Sequence, residues 1–374
     1  MKFHAIAYGT VGTRKEIEQG MAGKKPELYQ RMLKDLKEYV TVCDEAGFEG
    51  FGHPEHHLQI EGMEATGSPG LLSMFIGQNS KRLKVDILGY VLNTHNPLRV
   101  AEDISMMDHM LQGRLNVAFV RGYQARWVQN YGTLPGVEAV GHWNKKQESD
   151  LKNRRAFEEA VAVIKKAWSH DTFSHKGEFW QFPPEGAKNP HPMEAYTQYG
   201  SGVKDDMTIE EIGIAPRPYQ NPHPPLYAGF THNTESIRYW GREGGKPIII
   251  ILHEELCGRL QGIYREEAEK AGRTVKPGTE LALGGQLVVT ESPSEAQQIL
   301  ADTRWFWEKW GIPFGLGVAE PLIGDPDSIS RKIELAQKIG TDEMFFLLGD
   351  GLLPRDTILR SFELFATKVM PRFS

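Results

Sequence analysis

Short apolar runs alternate with longer amphipathic stretches almost from one end of this chain to the other, and no other feature restricts its fold as much. Strand-like runs fall at 3–8, 48–52, 83–92, 115–120, 225–229, 247–252, 281–290 and 343–348. The run at 83–92 is almost continuously apolar, as expected of a strand covered on both faces. Helical patterns occupy 28–46, 71–79, 97–111, 150–169, 234–243, 254–271, a stretch opening at Ser292, 325–339 and 354–370. The first of these places Leu28, Met32, Leu36, Tyr39, Val40 and Cys43 on one side at spacings of three and four, and Gly47 stops it. Pro97, Pro293 and Pro326 sit at helix starts, where a missing N–H costs nothing. Strands that alternate with helices through short connections make a parallel α/β protein.

Eight such units in 374 residues, with no internal repeat, fit a single (β/α)8 TIM-type barrel spanning 1–374. After a long loop at 9–25 that follows the first strand, two stretches break the rhythm. Residues 121–149 form a Gly-rich, aromatic loop with Tyr123, Trp127, Tyr131 and Trp143. Residues 171–225 are dense in Pro, His, Gly and aromatics, with short strand-like pieces at 172–175 and 178–182. Irregular insertions of this length are uncommon unless they cover a binding site, so both read as a lid over the strand ends.

Composition excludes several classes. A net charge of −6 and a pI near 6.1 speak against nucleic-acid binding, which needs a basic field. No apolar run reaches the roughly 20 residues of a membrane span. The N-terminus lacks the layout of a signal peptide. With Cys43 and Cys257 the only cysteines, both within helical patterns, no disulfide framework is expected and the cytoplasm is the expected compartment.

The chemistry concentrates in Gly47-Phe-Glu-Gly-Phe-Gly-His-Pro-Glu-His-His57, a short strand running into four ionisable side chains, His53, Glu55, His56 and His57. Barrel enzymes work at the ends where strands hand over to helices. The cluster admits a metal site, an acid/base site serving an organic cofactor, or a loop of solvated histidines. Metal-binding pairs on a strand end keep one residue between ligands so that both point the same way. Here His56 and His57 are adjacent and Pro54 interrupts the strand, which favours the acid/base reading and no metal.

Several segments in order resemble the bacterial luciferase-like flavin monooxygenases: Pro54-Glu-His-His57, Asn96-Pro-Leu-Arg-Val-Ala-Glu-Asp103, Gln112-Gly-Arg-Leu115, Val120-Arg-Gly-Tyr123, and the closing Ser361-Phe-Glu-Leu-Phe365 and Val369-Met-Pro-Arg-Phe373. The resemblance implies a barrel that binds reduced FMN at its strand ends, takes the flavin from a separate reductase, reacts it with O2 and oxygenates a small organic substrate. It places His56 beside the flavin as the catalytic group, with Glu55 and His57 as neighbours that orient it or bind cofactor. A histidine near neutral pKa can hold or move a proton there. Leu88, Gly89 and Asn93 align with a third strand that packs under the flavin ring, where some relatives carry a cis non-proline peptide, by position Leu88-Gly89. Arg121, Gly122, Tyr123 and Arg154 or Arg155 are candidates for the phosphate side. So is the turn Gly229-Phe230-Thr231, which leads into a helix N-terminus suited to an anion. The resemblance also implies a homodimer. Val120 stands where luciferases can carry a reactive cysteine, which argues against light emission. No Gly-x-Gly-x-x-Gly follows the first strand, in keeping with reducing equivalents imported from a partner. Relatives on the same barrel transfer hydride with coenzyme F420, a second reading. A flavin-binding accessory protein without turnover is a third.

Overall fold

The computed structural model describes residues 1–373 except 142, 315–316 and 349–350. Its first elements are β1 (Lys2–Ile6), α1 (Arg14–Glu18), α2 (Pro26–Ala46), β2 (Gly50–His53), α3 (Pro69–Gln78), β3 (Lys84–Val91), α4 (Pro97–Met110) and β4 (Leu115–Val120). Then come α5 (Ala125–Tyr131), α6 (Glu148–Ser169), β5 (His175–Lys176), β6 (Gln181–Phe182) and α7 (Glu194–Gln198). The rhythm resumes with β7 (Leu226–Ala228), α8 (Thr234–Glu243), β8 (Lys246–Ile249), α9 (Glu254–Lys270), β9 (Ala282–Val289) and α10 (Pro293–Phe306). It closes with β10 (Pro321–Gly324), α11 (Pro326–Ile339), β11 (Glu343–Leu348) and α12 (Arg355–Leu364).

The chain divides into two compact units. One comprises 1–90, 114–119 and 225 onward, and the other 91–113 with 120–224. The first unit holds a closed, all-parallel barrel of eight strands in the order β1, β2, β3, β4, β7, β8, β9, β11, with β11 returning to β1. The short β10 lies parallel to the second half of β9, pairing Pro321 with Gln286 and Gly324 with Val289. Strand alternation sorts the side chains. On β11, Phe345 turns inward and stacks on His4 at 4.3 Å, while its neighbour Phe346 turns outward against Phe3 and Phe365. Each such fully buried phenyl contributes roughly 1.5–3 kcal/mol relative to exposure.

Glycines on β2 let the barrel interior fill with polar groups. A Cβ on Gly50 would lie 2.4 Å from both Asp86 Oδ2 and His4 Nδ1. These atoms belong to a buried layer toward the strand N-terminal ends. His4 Nδ1 meets Asp86 at 2.7 Å and its Nε2 meets Glu343 at 3.0 Å. Asn116 donates to Asp86 at 2.7 Å, while Tyr227 (3.1 Å) and Lys246 (2.8 Å) donate to Glu343. Burial alone would lower the His4 pKa, but Asp86 and then Glu343 outweigh it and raise it to about 9. Burial works against the Glu343 carboxylate as well, yet His4 and Lys246 hold it well below the usual range. This end of a barrel serves stability rather than catalysis.

In the second unit α4 packs on α6, with the Trp168 indole donating to the Ala101 carbonyl at 3.1 Å. Asp108 accepts from the Gln220 backbone (2.7 Å) and side chain (2.8 Å). The insertion is pinned by Glu159, whose carboxylate accepts from the backbone N–H groups of Glu178, Phe179 and Trp180 and faces His175 at 3.0 Å.

Several expectations need correction. Residues 9–25 are not all loop: Thr13 caps α1 in a full capping box with Glu16, and a single 3₁₀ turn follows at Ala22–Lys24. The 121–149 stretch contains α5. The strand-like pieces of the insertion shrink to the two-residue β5 and β6, and Phe173 instead bridges Ile212. The closing helix is regular only to Leu364, then widens into a π turn at Phe365–Val369. Among the described residues no helix is long and apolar enough to cross a membrane.

Candidate active site

Inward and outward alternation along β2 decides the fate of the histidine cluster. Gly50 and Gly52 face the barrel interior, so His53 faces out toward α3. There its Nδ1 donates to the Pro54 carbonyl at 2.9 Å and its Nε2 accepts from the Ser73 hydroxyl at 3.0 Å. Burial pushes its pKa down to about 4, so it is neutral and structural.

Beyond Pro54 the chain crosses the strand ends in an irregular segment laced to the loop after β1. Val11 donates to the Gly62 carbonyl (2.6 Å), Gly23 to that of Ile60 (3.0 Å), and Ala65 to that of Gly9 (3.0 Å). Two imidazole–carboxylate pairs result. His57 Nε2 lies 2.6 Å from Glu55 Oε1, with Glu55 1% and His57 8% exposed. His56 Nδ1 lies 3.0 Å from Glu64 Oε2, and the same oxygen accepts from the Trp310 indole at 2.7 Å. Glu64 is 2% exposed and sits at φ = 55°, a left-handed conformation uncommon for a side-chain-bearing residue.

Trp310 belongs to a π turn, Trp307–Gly311, that continues α10. Such turns recur at functional sites. The same turn presents Trp307, whose indole donates to Gln286 Oε1 at 3.3 Å, and follows Phe306, which packs on Tyr8 at 5.5 Å. Thr10 Oγ1, Thr66 Oγ1 and Gln286 Nε2 are buried here without a protein partner among the described residues. Buried polar groups normally find partners, so these three suit a polar ligand. Neither Glu64 nor Trp310 carries a sequence signature. The only signal for either was an acidic residue and a tryptophan in irregular stretches.

The remaining candidates fall as follows. Leu88 lines the barrel beside Gly52. Gly89 has φ = 141°, but the Leu88-Gly89 peptide is trans: the cis bonds among the described residues are Phe182-Pro183, Ala215-Pro216 and Asn221-Pro222. Phe230 of the turn after β7 has φ = 44°, and Thr231 donates its backbone N–H to the Ile248 carbonyl at 3.1 Å. Asn233 then caps α8 by accepting from the Glu235 N–H.

Six other candidates belong to the second unit. There Arg121 is a brace: its Nε donates to Asn153 Oδ1 and its Nη2 to the Asp150 carbonyl, each at 2.8 Å, with a further contact to the Asp150 carboxylate. Burial lowers its pKa while Asp150 pulls the other way. Asn93 joins the same knot, donating to the Asn153 carbonyl at 3.1 Å. Gly122 has φ = 83°, and a Cβ there would meet Val128 at 2.6 Å. Tyr123 packs edge-on to Trp127, and Arg154 lies 3.9 Å from Glu158, while Arg155 is exposed and paired with Glu178 and Glu148.

A cavity of about 330 Å³ borders Tyr8, Gly9 and Thr10 but is walled by Leu28, Met32, Leu36 and Ile358 of the outer helices. The paired imidazoles of His56 and His57 do not line it.

A parallel (β/α)8 barrel carrying buried imidazole–carboxylate pairs at its strand C-terminal ends is the framework of a barrel enzyme. The sequence profile of the luciferase-like monooxygenases matches residues 10–343, and the chain belongs to that family. One curated relative is the oxygenase component of a flavin-dependent trigonelline monooxygenase from Acinetobacter baylyi. It is 22% identical over 377 residues, which cover 93% of this chain and 91% of that protein. A solved type II Baeyer–Villiger monooxygenase, the oxygenating constituent of 3,6-diketocamphane monooxygenase from Pseudomonas putida in complex with FMN, aligns with a TM-score of 0.73. Its identity is 18%, and 100% of this chain and 99% of that one are covered. An F420-dependent secondary alcohol dehydrogenase in complex with an F420–acetone adduct aligns with a TM-score of 0.65 at 13% identity, covering 100% and 99%. Likeness at these identities establishes the fold.

Proposed function

We propose that this chain is the oxygenase component of a two-component, FMN-dependent monooxygenase that uses O2 to oxygenate a small organic molecule. The observation that carries the reading is the buried His56–Glu64 pair at the strand ends. The three buried polar atoms without protein partners at Thr10, Thr66 and Gln286 fit a polar heterocycle such as a flavin. Reduced FMN, delivered by a separate reductase, supplies the electrons that activate O2.

The protein's own contribution is acid/base control and exclusion of water. His56 holds or moves one proton beside the reacting atoms. Phe306, Trp307 and Trp310, each at most 7% exposed, keep bulk water out. The phosphate is assigned to the turn Gly229-Phe230-Thr231, with the Thr231 hydroxyl and the first-turn N–H groups of α8 as donors. Leu88 and Gly89 form the floor under the ring. A homodimer is part of this reading, by family resemblance.

The test is an anaerobic titration with reduced FMN and, separately, reduced F420, followed by rapid mixing with oxygenated buffer. Binding of reduced FMN and a slow, His56-dependent return to oxidised flavin support the oxygenase. Binding of F420 alone, insensitive to O2, makes the chain a hydride-transfer enzyme like the F420-dependent alcohol dehydrogenase. Failure of either to bind leaves only a protein without this cofactor chemistry.

A further inference from the structure

We propose that Glu64 is a positioning residue that sets the tautomer of His56, and that Trp310 holds it in place. This rests on the assignment of His56 as the group that handles the proton. The contact lies off the ring's N–H direction and is not a hydrogen bond, so the effect of Glu64 is electrostatic. A carboxylate charge 3.0 Å from Nδ1 disfavours a bare lone pair on that nitrogen and favours hydrogen there. The contact therefore biases His56 toward the Nδ1–H tautomer and leaves Nε2 as the nitrogen that exchanges a proton with a ligand.

Three features show that the fold is arranged around this carboxylate. Glu64 is 2% exposed, a position where an acidic side chain needs partners to stay. Its backbone is left-handed, a conformation that glycine or asparagine would adopt at lower cost. Its second partner, the Trp310 indole, comes from 246 residues further along the chain and from a π turn that breaks the regular geometry of α10. A residue kept in an unfavourable backbone state, buried and gripped from a distant element is there for its side chain.

The experiment uses full-length protein labelled with ¹⁵N at histidine, without flavin, at pH about 8.5, where an ordinary imidazole is neutral. The His56 ring signals are assigned by their loss in His56→Gln. In the parent protein Nδ1 should resonate as a protonated, pyrrole-like nitrogen. In Glu64→Met it should shift toward the unprotonated position, and Glu64→Gln, which keeps an acceptor but loses the charge, should shift part of the way. Turnover with reduced flavin should fall about 10–100-fold in Glu64→Met, by analogy with the loss of a partner that orients a metal-bound histidine, with reduced FMN affinity changed less than about two-fold.

If Glu64→Met does not fold, Trp310→Phe tests the same chain of contacts. It should broaden the His56 signals into a tautomer mixture. An unchanged His56 tautomer in whichever of these variants folds overturns the proposal. So does a Glu64→Met protein that folds and turns over normally. Because the spectra are taken without cofactor, failure to bind FMN would sink the functional reading while leaving the tautomer result intact.

Discussion

The imidazole of His4 on β1 lies 2.7 Å from the carboxylate of Asp86 on β3, and both side chains are fully buried inside the barrel. With Glu343 on the other ring nitrogen, His4 is held between two carboxylates, and Lys246 supplies the second positive charge. His4, Asp86 and Glu343 are thus held out of reach of water, while the partly exposed Lys246 bridges Glu343 to the exposed Asp342. Removing one partner of such a set costs far more than the set itself contributes, because it leaves a buried charge uncompensated.

Stability should depend on this histidine above neutral pH. Its folded-state pKa is raised from 6.5 to about 9, so its contribution is complete below 6.5 and disappears as pH rises through 9. The shift corresponds to roughly 3 kcal/mol at most. Urea midpoints measured from pH 6 to 10 should fall across that window. In His4→Gln the same curve should be lower throughout and flat between 6.5 and 9. A parent curve with no decline there would contradict the raised pKa.

Gly50→Ala should be destabilising by about 1–3 kcal/mol, although alanine is a mild change on most strands. Its methyl group would lie 2.4 Å from both atoms of the His4–Asp86 contact, with no space to retreat. Differential scanning calorimetry checks this. A melting temperature within a degree of the parent would mean the polar layer can shift.

Glu159→Gln should loosen the insertion without touching the barrel. The carboxylate accepts from three consecutive N–H groups, at 3.0, 3.0 and 2.8 Å. A neutral amide keeps weaker versions of these, and losing charge-assisted bonds of this kind costs on the order of 1.5–3 kcal/mol. Hydrogen exchange at Glu178, Phe179 and Trp180 should accelerate by about 10–100-fold, with barrel amides unchanged. Equal acceleration in the barrel strands would show that the insertion is not an independently opening segment.

Gln286 separates stability from ligand binding. Its Oε1 is taken by Trp307 and its Nε2 has no partner among the described residues. Replacing the pair by Gln286→Met with Trp307→Phe removes a buried polar group that costs roughly 1–3 kcal/mol when unsatisfied. Without ligand the double variant should therefore be at least as stable to urea as the parent. Its affinity for reduced FMN or for substrate should drop by about ten-fold if the amide meets a ligand oxygen, about 1.4 kcal/mol. Lower stability with unchanged binding would assign Gln286 to packing alone.

The barrel was legible because its information is local. Period-2 apolar runs, helical spacing, Pro at helix starts and Gly47 at a helix end each act within a few residues, and the structure places eight barrel strands where those runs lie. The Glu-His-His segment was legible for the same reason, as ionisable residues at the end of a short strand. The short elements missed inside 9–25, 121–149 and 171–225 lie where backbone hydrogen bonds go to distant segments or to side chains such as Glu159.

By itself the sequence determined the barrel, the family and the segment that carries His56. Tertiary structure decided which member of the histidine cluster faces which way, since a single residue of strand alternation turns His53 out to Ser73. It also decided that Arg121 is engaged by Asp150 and Asn153, and that His56 answers to Glu64 and Trp310. Charge and hydrogen bonding depend on distance in space, and closing a parallel barrel brings together residues that lie hundreds of positions apart along the chain.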